Sequence, residues 1–204
     1  MLSTQTSVAP PPVAGFVDTV AQSQQTFRSA LQALAYPGRV VDIASPPAVP
    51  PGLSLAMAAL LLTLADADTP VWLPAGISES VHQYLRFHCG CPLVSEPLQA
   101  RFVAVPSGYE MPELAHCYPG VAAYPDTSAT VLLDVESFSA TDGAMVSLKG
   151  PGIESCQRLA VRGLPVDFWD QWQDNRRLFP MGVDIFLTQG DCLCGLPRTV
   201  SVEA

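Results

Sequence analysis

The stretch from Leu53 to Ala65 is apolar on nearly every side. A helix of that kind cannot lie on a surface with one face in water, so it has to be packed on more than one side. It is shorter than the roughly 20 residues that a membrane span requires, and it therefore predicts a buried helix inside a folded core.

Around this helix, apolar periodicity alternates between helical and extended spacing. Phe16 to Tyr36 predicts a helix whose inward face is Phe16, Val20, Phe27, Leu31 and Leu34, stopped by Pro37-Gly38. Val40 to Ile43 predicts a strand, and the proline-rich Ser45 to Gly52 a loop. Strands are then expected at Pro70 to Pro74, Arg101 to Val105, Thr130 to Val135 and Val183 to Leu187, with an amphipathic helix at Ser78 to Cys89. Val166 to Leu178 predicts a helix with a large aromatic face of Phe168, Trp169 and Trp172, a stripe that suits a core or a subunit interface better than a ligand box. Strands separated by helices, with paired strands late in the chain, predict a three-layer α/β fold with a mixed sheet.

Residues 1–15 carry Pro10-Pro11-Pro12 and no periodicity, so they are expected to form a mobile arm or one ordered by a partner. Residues 16–204 are expected to form a single α/β domain, a length that buries a substantial core without disulfides or metal. The start of the chain lacks a basic segment followed by an apolar one, from which a cytoplasmic location is expected. A formal net charge of -9 argues against nucleic-acid binding, which needs basic stripes to neutralise phosphates. The six cysteines include Cys89-Gly90-Cys91 and Cys192-Leu193-Cys194, whose spacing is too tight for a zinc knuckle. Reduced thiols are expected, with no metal.

Lys149 is the single lysine of the chain, and it stands in Leu148-Lys149-Gly150-Pro151-Gly152-Ile153. Glycine admits backbone angles closed to other residues and proline fixes a dihedral, so Gly-Pro-Gly is a stiff corner. Upstream, Val146 and Leu148 share one face of an extended segment while Ser147 and Lys149 share the other. Downstream, Leu159 and Val161 alternate with Arg158 and Arg162 on a returning strand. Asp184, between Val183 and Ile185, is costly to bury unless paired, and its expected partners are Lys149 or an arginine, particularly Arg198. Lys149, Gly150, Gly152, Asp184 and Arg198 are accordingly expected to line an anion pocket near a subunit interface. No catalytic triad, metal set or nucleotide-hydrolase phosphate loop is present, and no catalytic residue is assigned.

In order and spacing, the corner at Leu148 to Ile153 is followed by Gly163-Leu164-Pro165 with Phe168-Trp169, Trp172 and Asn175. Phe179-Pro180 with Gly182-Val183-Asp184 comes next, and then Gly195-Leu196-Pro197-Arg198-Thr199. This succession resembles the H subunit of bacterial carbon–phosphorus lyase, the PhnH family. Phe27-Arg28, Leu31, Leu34 and Pro37-Gly38 extend the likeness, which is weakest between Pro46 and Tyr124. The resemblance implies a subunit of a core complex with the G, I and J subunits, acting in organophosphonate breakdown through formation of a ribose 1-phosphonate 5-triphosphate from ATP and phosphonate. It also implies a homodimer, and a fold like the large domain of pyridoxal-phosphate-dependent transferases without that cofactor. Two functions are therefore weighed: an accessory subunit, and a small enzyme using Lys149 as Schiff-base nucleophile or anion clamp.

Overall fold

The computed structural model describes residues 13–139 and 144–203. Its elements, in order, are α1 (Thr19–Ala35), β1 (Val40–Asp42), α2 (Leu55–Leu64), β2 (Val71–Trp72), α3 (Glu79–His88), β3 (Leu93–Val94), β4 (Phe102–Val105) and β5 (Thr130–Asp134). They continue with β6 (Ala144–Lys149), β7 (Gln157–Val161), α4 (Phe168–Arg177), β8 (Asp184–Gln189), β9 (Cys192–Leu196) and β10 (Ser201–Glu203). The result is a mixed α/β protein.

A seven-stranded sheet runs in the order β1-β9-β8-β5-β4-β2-β3. From β8 to β3 all neighbours are parallel, while β9 is antiparallel to both β8 and β1. A second sheet, β10-β6-β7, is antiparallel throughout. Because side chains alternate along a strand, each strand of the large sheet feeds two cores. Phe102, Ala104, Leu132, Phe186 and Leu193 join the helices α1, α2 and α3 on one side. Val103, Val105, Val131, Leu133, Ile185 and Leu187 meet β6, β7 and α4 on the other.

Helix α2 is where the all-round apolar stretch leads. Ser54 caps it, its hydroxyl accepting from the Met57 amide at 3.1 Å, and the six residues Ala56 to Leu61 are fully buried. Full burial of each leucine is worth about 2 kcal/mol before entropy is counted. The helix ends at Ala65, whose amide still bonds to Leu61.

Helix α1 forms where its periodicity predicts, but turned about its axis: Phe16 and Leu34 of the expected face pack against the first core, while the rest of that face does not. Thr26, Ala30 and Ala33 are buried, while Val20, Phe27 and Leu31 are 69%, 45% and 52% exposed. The reason is close approach: a Cβ placed on Gly195 of β9 would stand 2.6 Å from the Ala33 carbonyl, so only small residues fit between helix and sheet. Val20, Phe27 and Leu31 are left facing outward.

Of the expected N-terminal arm, residues 1–12 lie outside the described residues. Val13 packs against the first core, and its carbonyl is bonded to the His88 ring at 2.8 Å.

Candidate functional site

In open α/β sheets, ligands sit beyond the carboxyl ends of the parallel strands, where the strand order reverses. Here the chain passes from β2 outward to β3 and then back across β2 to β4, so the reversal falls between β2 and β4. A cleft of about 520 Å³ opens beside it, over the ends of β4 and β5. One wall is the loop Pro106 to Met111, folded by a bond from the Tyr109 amide to the Pro106 carbonyl and tied across β2 by the Tyr109 hydroxyl donating to Gly76. The opposite wall is Gly163-Leu164-Pro165, where the chain leaves β7. The same loop closes a second hollow of about 440 Å³ against Trp72 and Pro74.

Asp134 forms part of the cleft's lining, and it is the last residue of β5. Only 9% of it is exposed. Its Oδ1 accepts from the Ser54 hydroxyl at 2.6 Å and from the Thr188 hydroxyl, with backbone amides of Ser107 and Ser54 contributing further. Ser54 thus caps α2 and holds the carboxylate at once, which sets Asp134 at the positive end of that helix. Burial nevertheless pushes the Asp134 carboxyl above the ordinary aspartate range, since the amides and hydroxyls offset only part of the desolvation. Glu110 and Glu136 join it in the lining, and Glu136 is ion-paired with Arg162. With Glu136 offset by Arg162, Glu110 and Asp134 are left to give the cleft a field that favours N–H donors or cations over anions.

The residues singled out from the sequence fall elsewhere. Asp184 and Arg198 do come together: the Asp184 Oδ1 accepts from the Arg198 amide at 2.8 Å and from Nε at 3.1 Å, and its Oδ2 accepts from Nη2 at 2.6 Å. Nη2 also donates to the Ser128 hydroxyl, and Nη1 donates to the carbonyls of Pro125 and Pro180. A guanidinium has five N–H groups, and all five are taken. The pair is therefore a structural pin that leaves no donor for a ligand. It also lies at the far end of the sheet from the cleft: Asp184 is paired with Thr130 and Thr188 with Asp134, a separation of roughly 13 Å at strand rise.

Lys149 sits on β6, where its Nζ bonds to Glu203 at 2.9 Å and both side chains are about half exposed. That bond raises its pKa, the reverse of what a Schiff-base nucleophile needs. Pro151 and Gly152 of the corner are exposed, but its two glycines lie hard against neighbouring backbone. A Cβ on Gly152 would stand 2.0 Å from the Ala35 carbonyl, and one on Gly150 would stand 3.2 Å from Thr199 and Val200. The corner exists to seat β6 against the end of α1. None of the five residues lines either hollow.

Phe168 and Trp172 are fully enclosed, and the Trp172 indole N–H donates to the Val200 carbonyl at 3.0 Å. Of the two places expected for this aromatic stripe, core or subunit interface, Phe168 and Trp172 take the core. Trp169 is half-buried and packs edge-on against Phe168.

Asp134 is not among the residues expected at a site. Its signal was a carboxylate closing the apolar run Val131-Leu132-Leu133, which carries the same burial cost recognised at Asp184.

Fold and cleft together define an open-sheet α/β protein with a carboxylate-lined cleft at the strand ends and an apolar helix face turned outward. Residues 14–203 match the family described as "Bacterial phosphonate metabolism protein (PhnH)". The chain belongs to that family. It is 35% identical over 189 residues to "Alpha-D-ribose 1-methylphosphonate 5-triphosphate synthase subunit PhnH" of Rhizobium meliloti (strain 1021), covering 92% of this chain and 94% of that protein. It is 30% identical over 204 residues to "Putative C-P lyase subunit protein HtxG" of Stutzerimonas stutzeri, covering 100% and 97%.

Proposed function

We propose that this protein is an accessory subunit of a carbon–phosphorus lyase assembly in organophosphonate catabolism, contributing to formation of a ribose 1-phosphonate 5-triphosphate from ATP and phosphonate. The observation that carries the reading is the end-to-end match to the Rhizobium synthase subunit. The cleft supports the accessory role: a triphosphate or phosphonate is polyanionic, and Glu110 and Asp134 would repel it. Of the set expected to bind an anion, Lys149 alone keeps an exposed cation, so any anion contact of Gly150, Gly152 and their neighbours is assigned to it, in competition with Glu203.

Its partners are a second copy of the chain and the G, I and J subunits. The outward stripe of Val20, Phe27 and Leu31 on α1 supports docking, since exposed apolar area of that kind marks an interaction surface. Residues 16–204 act as one domain, supported by a second core that both sheets share. The same packing supports a three-layer α/β/α reading in which β10-β6-β7 joins α4 in one outer layer, and with it the likeness to the large domain of pyridoxal-phosphate-dependent transferases without the cofactor. Six free thiols support a cytoplasmic setting. No helix among the described residues is long and apolar enough to cross a membrane.

The test is co-expression with the G, I and J subunits and affinity capture through one of them. This chain is expected in the captured complex at a fixed ratio; its absence, with all the chains soluble, overturns the proposal. A Schiff-base enzyme predicts instead a visible aldimine band when the purified chain meets pyridoxal phosphate, lost in Lys149→Ala.

A further inference from the structure

The pair Cys89-Gly90-Cys91 stands outside the cleft, at the end of α3, and has no part in the function proposed above. Its geometry is set by the helix terminus. The amides of Cys89 and Gly90 both bond to the Leu85 carbonyl, at 2.9 and 3.1 Å. Cys89 is still right-handed helical, at φ -104° and ψ -27°. Gly90 then turns left-handed at φ 65°, a conformation that a side chain would strain. A right-handed residue followed by a left-handed one folds the chain back on itself and sets Cys91 beside Cys89. Their side chains are in hydrogen-bond contact.

Both thiols are free. Cys91 is enclosed in the first core and Cys89 is half-buried against it, its sulfur also 3.5 Å from the Leu61 carbonyl. Gly90 is exposed, and the space where its Cβ would stand is open, which gives the turn room to adjust.

We propose that Cys89 and Cys91 form a reversible dithiol site that closes to an intramolecular disulfide with a peroxide as oxidant. The shared hydrogen bond divides the roles: it pushes the Cys89 thiol up and draws Cys91 down, so Cys91 carries the thiolate and Cys89 keeps its proton. The Cys91 thiolate attacks one peroxide oxygen, the O–O bond breaks, and hydroxide leaves and takes up a proton as water. The product is a sulfenic acid on Cys91. The Cys89 sulfur then displaces the sulfenic oxygen, which leaves as a second water. Two thiols are oxidised, one hydrogen peroxide is reduced, and the S–S bond closes the turn.

The test uses the whole chain. Trypsin cuts after Arg86 and Arg101, releasing a peptide from Phe87 to Arg101 that contains Cys89 and Cys91 and no other cysteine. The reduced protein is exposed to hydrogen peroxide, alkylated, digested and weighed by mass spectrometry. The peptide is expected unalkylated and lighter by two hydrogens, and restored to full alkylation by a dithiol reductant. In Cys91→Ser this protected peptide is expected to vanish, while Cys156→Ser, which removes the exposed thiol, is expected to leave it in place. Alkylation of both cysteines after peroxide, separate oxidation of each to a sulfinic acid, or a link to Cys156 overturns the proposal.

Discussion

Gly152 is the residue whose replacement is most sharply constrained. An added methyl would sit 2.0 Å from the Ala35 carbonyl at a backbone φ of 81°. Backbone on both sides means nothing can yield cheaply, so Gly152→Ala is expected to cost on the order of 3 kcal/mol or more in urea unfolding. The corner was legible as a corner, because glycine and proline write backbone shape directly into sequence. What it faces was not legible, since the Ala35 carbonyl is distant in the chain and carries no side-chain signal. Asp134 gives a second expectation at this scale. Its native carboxyl titrates above its unfolded value, so the native state holds the extra proton and stability falls as pH rises from the unfolded value through the raised native one. The stability difference between the wild type and Asp134→Asn is expected to change over that acid window and to stay flat above it. Denaturant unfolding at a series of pH values checks this; a pH-independent difference contradicts it.

At the level of elements, polar bonds between segments decide what holds the second core in place. The buried Asn175 of α4 donates to the Val183 carbonyl at 3.0 Å and accepts from the Val183 amide at 2.8 Å, pinning the helix to the start of β8. Asn175→Ala would leave both backbone groups unpaired in a dry site, and a loss of about 2–4 kcal/mol is expected by calorimetry or urea unfolding. Arg198→Ala would strip Asp184 of its guanidinium, leaving it the amide of residue 198, and is expected to cost about 3 kcal/mol; unchanged stability in urea would contradict the pin. The pairing of Asp184 with Arg198 was readable because a carboxylate among apolar neighbours demands a partner. Strand β9 was not readable, although it sits inside the large sheet. Cys192-Leu193-Cys194-Gly195-Leu196 lacks β-branched residues and polar alternation, being covered on both faces. Its one signal is Gly190-Asp191, the two-residue turn that joins it to β8. The rotation of α1 that leaves Val20, Phe27 and Leu31 outside was hidden for the same reason that β9 was: without that strand and Gly195, nothing tells the helix to turn its alanines inward.

For the whole molecule, the surface divides into a carboxylate cleft that disfavours polyanions and an exposed apolar helix face, the one proposed above for docking. Phe27→Ser and Leu31→Ser lie on that face and are about half exposed. Their double substitution is expected to change stability by less than about 1 kcal/mol while weakening assembly. The family's sequence pattern reached further than periodicity did, because it was carried by glycine, proline and paired polar residues at fixed places. The most direct measurement is native mass spectrometry of this chain co-expressed with the G, I and J subunits. The account predicts a stable assembly containing this chain, depleted of it in the Phe27→Ser, Leu31→Ser variant. A wild-type chain that stays apart from all of its partners, while they assemble without it, would contradict the account.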